Sequence, residues 1–297
     1  MTDDQKRAVA EMLRTGPLDL GGELHEQRRV LVEMLTGIPL PDDVIATSGH
    51  LGDIDVVSVD IAGVSADDVV LYLHGGAYAL GTAASSVGLV ADLMRRAGVR
   101  GVSVDYRLAP ESPYPAALDD AVASYEALLE STDPRRIALV GESAGGGLVL
   151  ATLVALRARG VPMPASAVVF SPWADLTLSG RTIHTKSGVD PALTAAGLRT
   201  RAADYVGSAD PTDPLVSAVH ADLTGLPPLL VQAGSDEILL DDALRVVAAA
   251  AMADVAVTLQ ITPGVPHVFQ AFAAILTEGA AALDAAGEFL RAHFGKP

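Results

Sequence analysis

An α/β fold with a mostly parallel sheet is predicted by three features of the chain. Short apolar runs without alternation recur along it, as strands buried on both faces require. Ala- and Leu-rich stretches of helical length separate them. Strand alternating with helix then demands crossover connections, which make neighbouring strands parallel. The length of 297 residues suits one large α/β domain, alone or with a small lid. Apolar residues make up 50% of the chain and charged residues 19%, so a sizeable core is available and overall disorder is excluded.

Taken in order, the first 40 residues read as two helices, from about Asp4 to Arg14 and from about Gly22 to Leu35. Gly16-Pro17 and Pro39-Leu40-Pro41 punctuate them. Asp55–Ile61 alternates in part and reads as an extended run. Val69–Leu73, Gly101–Val104, Ile137–Val140, Ala167–Phe170 and Leu229–Val231 are continuous and apolar, and Val257–Ile261 completes the series. Helices are predicted near Val87–Ala97, Ala116–Leu129, Gly145–Arg159, Asp241–Met252 and Gly279–His293. The polar stretch from Asp175 to Asp210 breaks the rhythm, with a helix near Pro191–Tyr205. It reads as an insertion able to fold over one end of the sheet.

Composition excludes several classes of function. With 37 acidic and 20 basic residues the net charge is −17. Such a surface repels nucleic-acid phosphates and anionic lipid, so neither is expected as a partner. Cysteine is absent, which removes disulfides, thiol catalysis and Cys-ligated metal centres. The start, Met1-Thr2-Asp3-Asp4-Gln5-Lys6, lacks the apolar stretch of a secretion signal. The longest apolar stretch, Ala144 to Leu156, is too short for a membrane span of roughly 20 residues. A soluble, cytoplasmic protein is the expectation.

Gly141-Glu142-Ser143-Ala144-Gly145 matches G-x-S-x-G between a strand and an apolar helix. A serine there sits on a sharp, strained turn, and small neighbours let the chains approach. A phosphate-binding loop is the rival, since Gly141 to Gly146 fits G-x-x-x-x-G. Gly147-Leu148 stands where Lys-Ser/Thr is needed, which disfavours it. A serine hydroxyl needs a base, and in this kind of sheet the acid and then the histidine follow it in the chain. His267, in the loop after the last strand, is the candidate base. His293 reads as a helix-end cation, and His184 and His220 precede the acid. Leu229–Ser235 leads directly to Asp236, the candidate acid, with Glu237 its nearest competitor; Asp241 and Asp242 read as first-turn helix charges. His74-Gly75-Gly76-Ala77-Tyr78 follows a strand, and the amides of Gly75 and Gly76 with that of Ala144 form a candidate oxyanion hole.

With these motifs the chain resembles the hormone-sensitive-lipase-like branch of the α/β-hydrolases, the family IV bacterial esterases, from about residue 44 to 294. The resemblance is carried by His74-Gly75-Gly76, Val104-Asp105-Tyr106-Arg107-Leu108-Ala109-Pro110-Glu111, Tyr114-Pro115-Ala116-Ala117, Gly141–Gly146 and Ser171-Pro172-Trp173. It implies an eight-stranded α/β-hydrolase sheet at 44–297 and a helical cap from residues 1–43 and about 175–210. It also implies that Asp105, Arg107 and Glu111 are structural. Tyr78 is a candidate acyl-pocket residue and Trp173 a core residue. Four positions depart from the pattern. Ala77 replaces a third glycine and Glu142 replaces Asp. Asp236-Glu237-Ile238-Leu239-Leu240-Asp241 lacks Asp-Pro-Leu, and Val268 follows the histidine where glycine is usual.

The expected activity is hydrolysis of short- to medium-chain carboxylic esters through Ser143, His267 and Asp236, with no metal or organic cofactor. Lactone hydrolysis, and deacetylase or amidase action on a small acylated metabolite, use the same chemistry and remain open. Two other classes are a non-catalytic ligand receptor and a nucleotide-dependent enzyme. A small-molecule ester is the expected partner, and a homodimer through the edge strand Val257–Ile261 is implied by the family.

Overall fold

The computed structural model describes residues 2–64 and 66–295. Two helices, α1 (Thr2–Thr15) and α2 (Leu24–Thr36), precede an antiparallel pair, β1 (Val44–Leu51) and β2 (Ile54–Ile61). There follow β3 (Val69–Leu73), α3 (Val87–Ala97), β4 (Arg100–Val104), α4 (Ala116–Leu129), β5 (Ile137–Glu142), α5 (Ala144–Ala158) and β6 (Ser166–Phe170). The insertion carries a short α6 (Thr182–Thr185) and α7 (Ala195–Val206). Then come β7 (Leu229–Gly234), α8 (Leu240–Met252), β8 (Val257–Thr262) and α9 (Thr277–His293).

The eight strands form one sheet in the order β1-β2-β4-β3-β5-β6-β7-β8. β1–β2 and β2–β4 pair antiparallel; every other pair is parallel. Side chains alternate faces along each strand. Val69, Leu71 and Leu73 of β3 join Ile137 and Leu139 of β5 and the buried faces of α4, α5 and α8. Val70 and Tyr72 join Ala138 and Val140 on the opposite face, under α3 and α9. Both faces are therefore covered, as the unbroken apolar runs require.

β1 is the strand that the residue pattern does not indicate. Its sequence, Val44-Ile45-Ala46-Thr47-Ser48-Gly49-His50-Leu51, is largely exposed, and as the outermost strand it buries little apolar surface. It is held by full antiparallel register with β2 across the turn at Gly52, whose φ of 57° glycine adopts readily.

The N-terminal helices and the insertion meet over the C-terminal ends of the parallel strands. Arg14 donates to the Val189 carbonyl and Arg201 of α7 to that of Gly22. Arg28 of α2 reaches the Ala79 and Ala109 carbonyls and pairs with Glu111 through both guanidinium nitrogens. Glu111 is held down to about 2 by that guanidinium. Arg107 pairs with the buried Asp120, and Asp105 accepts the Ala83 amide. All three residues brace the loops that surround the site.

Candidate active site

Ser143 caps the N-terminus of α5 with φ 54° and ψ −121°, a conformation rarely adopted by a residue bearing a side chain. The glycines around it explain how the turn closes. A Cβ on Gly141 would lie 2.5 Å from the Gly145 carbonyl oxygen, and one on Gly145 would lie 2.0 Å from that of Leu73. A Cβ on Gly147 would meet the Trp173 carbonyl oxygen at 2.1 Å. The first turn of α5 is thus pressed against β3 and the segment after β6, which thrusts the serine above the sheet.

His267 lies in the loop after β8 and is mostly buried, 8% exposed. Its Nε2 is 2.9 Å from Ser143 Oγ. The two residues, 124 positions apart, are brought together as the motif requires.

The carboxylate beside His267 is not that of Asp236, the expected acid. His267 Nδ1 meets Glu237 Oε2 at 2.6 Å, not Asp236. Glu237 is wholly buried. Its other oxygen, Oε1, accepts the Gly234 amide at 2.9 Å and the Ser171 hydroxyl at 3.1 Å. Asp236 points away. Its side chain is 38% exposed and lies 3.7 Å from Lys186 Nζ, while its amide donates to the Val265 carbonyl. The physical reason is direction: the chain turns after Gly234, so the adjacent side chains diverge, Glu237 toward the imidazole and Asp236 toward Lys186. The turn is pinned from the insertion: Asp190 accepts the Ile238 amide, while Thr182 donates to the Ile238 carbonyl and accepts the Asp241 amide.

In the candidate oxyanion loop one of the expected donors is already engaged. The Gly75 amide is engaged by Glu142 Oε1 at 2.6 Å, so it is not free to bind a substrate oxygen. Among the described residues the amides of Gly76, Ala77 and Ala144 donate to nothing, and they are the donors left for an oxyanion. Gly76 (φ 112°) and Ala77 (φ 55°) lie in the left-handed half of backbone space. Behind the loop, the His74 ring stacks on Tyr106 at 4.3 Å, and its Nδ1 is 2.7 Å from the Gly75 carbonyl oxygen. Burial lowers the His74 pKa, while the Gly75 carbonyl beside the ring acts against that fall. Glu142 thus reaches the oxyanion loop from directly before Ser143. Burial pushes its carboxyl up to about 7, while the neighbouring Tyr72 hydroxyl and the Gly75 amide act against that rise.

Tyr78 is buried and stacks on Tyr205 of α7 at 3.8 Å, tilted against Trp173 at 6.1 Å. It joins the oxyanion loop to the cap helix. Trp173 is fully buried, its Nε1 donating to the Asp175 carbonyl. His293 closes α9, bonded to the Phe289 carbonyl. Asp241 and Asp242 stand in the first turn of α8. Asp242 also accepts the amides of Ala174 and Asp175, and burial pushes its carboxyl up to about 7. Among the described residues no group of three His, Asp or Glu is placed to hold a metal ion, and no helix is long and apolar enough to cross a membrane.

Comparison with known proteins agrees with this fold. The model of an α/β-hydrolase-fold family matches residues 70–271. An acetyl-hydrolase of Streptomyces hygroscopicus is 47% identical over 227 residues, 76% of each chain. An esterase of Acinetobacter venetianus is 38% identical over 76% of this chain and 75% of its own. The crystal structure of an esterase from the bacterial hormone-sensitive lipase family superposes with a TM-score of 0.94. It is 42% identical and covers 98% of this chain and 99% of that one. The chain belongs to the α/β-hydrolase fold family and, within it, to the hormone-sensitive-lipase-like carboxylesterases.

Proposed function

We propose that the protein hydrolyses short- to medium-chain carboxylic esters through an acyl-enzyme on Ser143. The observation that carries this reading is the unbroken chain from Ser143 Oγ to His267 Nε2 at 2.9 Å and from His267 Nδ1 to Glu237 Oε2 at 2.6 Å. Ser143 Oγ attacks the ester carbonyl and His267 Nε2 takes its proton. Glu237 holds the imidazole in the tautomer that leaves Nε2 unprotonated and stabilises the imidazolium once formed. The amides of Gly76, Ala77 and Ala144 receive the oxyanion, and each such donor is worth roughly 2.7–4 kcal/mol of barrier. His267 then protonates the leaving alcohol, and water, deprotonated by the same imidazole, releases the acid. Asp236, exposed beside Lys186, takes no part.

The acetyl-hydrolase and esterase names of the relatives support a small acyl group. Pairing of two copies along the open edge of β8 rests on the family resemblance and on the unpaired backbone groups that an edge strand presents. The test is Ser143→Ala with p-nitrophenyl acetate and butyrate. Turnover should fall by roughly 10⁴-fold or more, and a fluorophosphonate probe should label the parent protein and not the variant. Retained turnover, or labelling at another residue, would refute the reading.

A further inference from the structure

The chain leaving β6 touches all three loops that bear the reactive groups. The Ser143 amide donates to the Phe170 carbonyl at 2.9 Å, and the Trp173 amide donates to the Ser143 carbonyl at 2.8 Å. The nucleophile turn is therefore stitched to both sides of Ser171-Pro172. Ser171 itself is wholly buried with φ 46°. Its amide donates to the Gln232 carbonyl of β7 at 2.7 Å, holding it beside the strand that ends in the acid turn. Its hydroxyl donates to Glu237 Oε1 at 3.1 Å and accepts the amide of Val268, the residue after His267, also at 3.1 Å. One oxygen atom thus joins the acid to the histidine loop.

Two details give that oxygen a purpose beyond packing. Glutamate has three side-chain torsions, and Glu237 can present Oε2 to His267 only if Oε1 is held. Among the described residues Ser171 is the one side-chain donor on Oε1, beside the Gly234 amide. Hydrogen bonds to an ionised acceptor are also about twice as strong as neutral ones. The second detail lies at Val268, a β-branched residue with φ 49° and ψ 44°, where a left-handed backbone is an outlier. Its amide needs a fixed acceptor to stay there, and the Ser171 hydroxyl supplies it. Glycine would satisfy the positive φ at position 171 at lower cost. A serine in that conformation therefore points to a need for the hydroxyl.

We propose that Ser171 is a positioning residue whose hydroxyl locks the Glu237 carboxylate and the His267 loop in register, acting through both on proton removal from Ser143. The inference rests on the reading of Ser143, His267 and Glu237 as the proton relay. Ser171 is wholly buried behind the acid and the histidine loop, so its removal should act on turnover rather than on binding.

The test compares Ser171→Ala, Ser171→Gly, Glu237→Gln and the Ser171→Ala/Glu237→Gln double variant of the full chain on p-nitrophenyl acetate, with thermal melts of each. Both Ser171 variants should lose roughly 10- to 100-fold in kcat, with KM within about twofold of the parent. In the Glu237→Gln background the Ser171→Ala change should cost clearly less than in the parent, because the part of its effect that passes through the carboxylate is already gone and only the contact to the Val268 amide remains. Ser171→Gly relieves the backbone and carries the test if Ser171→Ala fails to fold. Parental kcat in Ser171→Gly, a loss confined to KM, or a full extra loss on top of Glu237→Gln would each overturn the proposal. An unchanged kcat in Glu237→Gln alone is a separate result, one that removes the acid assignment beneath it.

Discussion

The turn that carries Ser143 and the turn that carries Glu237 reach the same site by opposite routes. The first is shaped chiefly by its own glycines, with Phe170 and Trp173 bonded to its ends. Gly141, Gly145 and Gly147 allow backbone to approach backbone where a Cβ would come within 2.5 Å of a carbonyl oxygen. The second is built by distant partners. Gly234 is its one glycine, and its shape is set by Ser171, Thr182, Asp190 and Val265, which bond to its amides, carbonyl and carboxylate. A turn made by its own residues is written in a motif. A turn made by its neighbours is not, and two adjacent carboxylates in it look equivalent until the neighbours are known.

This contrast can be broken or sharpened by substitution. Gly145→Ala carries the largest expected effect. Both of its nearest clashes are backbone, with the Leu73 and His74 carbonyl oxygens at 2.0 and 2.5 Å, so no side chain can yield. A loss above about 3 kcal/mol is expected, of the order of core overpacking and more, read by urea unfolding or as failure to fold. Parental stability would contradict the local account of this turn.

Glu142, directly before the nucleophile, comes next. Its carboxyl is raised from the usual 4.5 to about 7 by burial, so the folded protein binds its proton more tightly than the unfolded chain. The associated stability is complete below about pH 4.5 and is lost as pH rises through about 7, by up to ~3 kcal/mol. Glu142→Gln should remove that part of the slope from unfolding free energies measured across pH 4.5–7. Asp242, raised to about 7 by its own burial, preserves the rest. An unaltered slope would count against a protonated Glu142 behind the oxyanion loop.

A smaller loss is expected from Asp190→Ala. It frees the buried Ile238 amide and the Ala192 and Leu193 amides, and a buried unsatisfied donor costs about 1–3 kcal/mol. Because Asp190 lies in the insertion and Ile238 follows Glu237, kcat should fall along with stability. A stability loss with intact kcat would uncouple the cap from the acid turn. Val268→Gly carries the smallest effect. Relief of the left-handed backbone, about 1–2 kcal/mol, is offset by the entropy of glycine, about 0.5–1 kcal/mol. A gain near 0.5 kcal/mol in chemical denaturation is expected, and a clear loss would show that the Val268 side chain matters more than its backbone.

The parallel core was legible in the sequence because strands buried on both faces leave unbroken apolar runs, and Val69–Leu73 and Ile137–Val140 fall inside β3 and β5. β1 was not, since a polar edge strand carries no such run. Ser143 and His267 were legible from a glycine-framed turn and from chain order. That the Gly75 amide is engaged was not legible, because its partner is the Glu142 side chain, 67 positions away. The choice of Glu237 over Asp236 had one faint signal, the absence of Asp-Pro-Leu after the last buried strand. The deciding facts, burial and the Ser171 and Gly234 donors, are tertiary.

The most direct test of this account is a paired measurement of kcat/KM on p-nitrophenyl acetate for Glu237→Gln and Asp236→Asn. Loss of roughly 10³- to 10⁴-fold in the first, with the second within a fewfold of the parent, is the predicted result. A collapse in Asp236→Asn with Glu237→Gln near parental activity would contradict it.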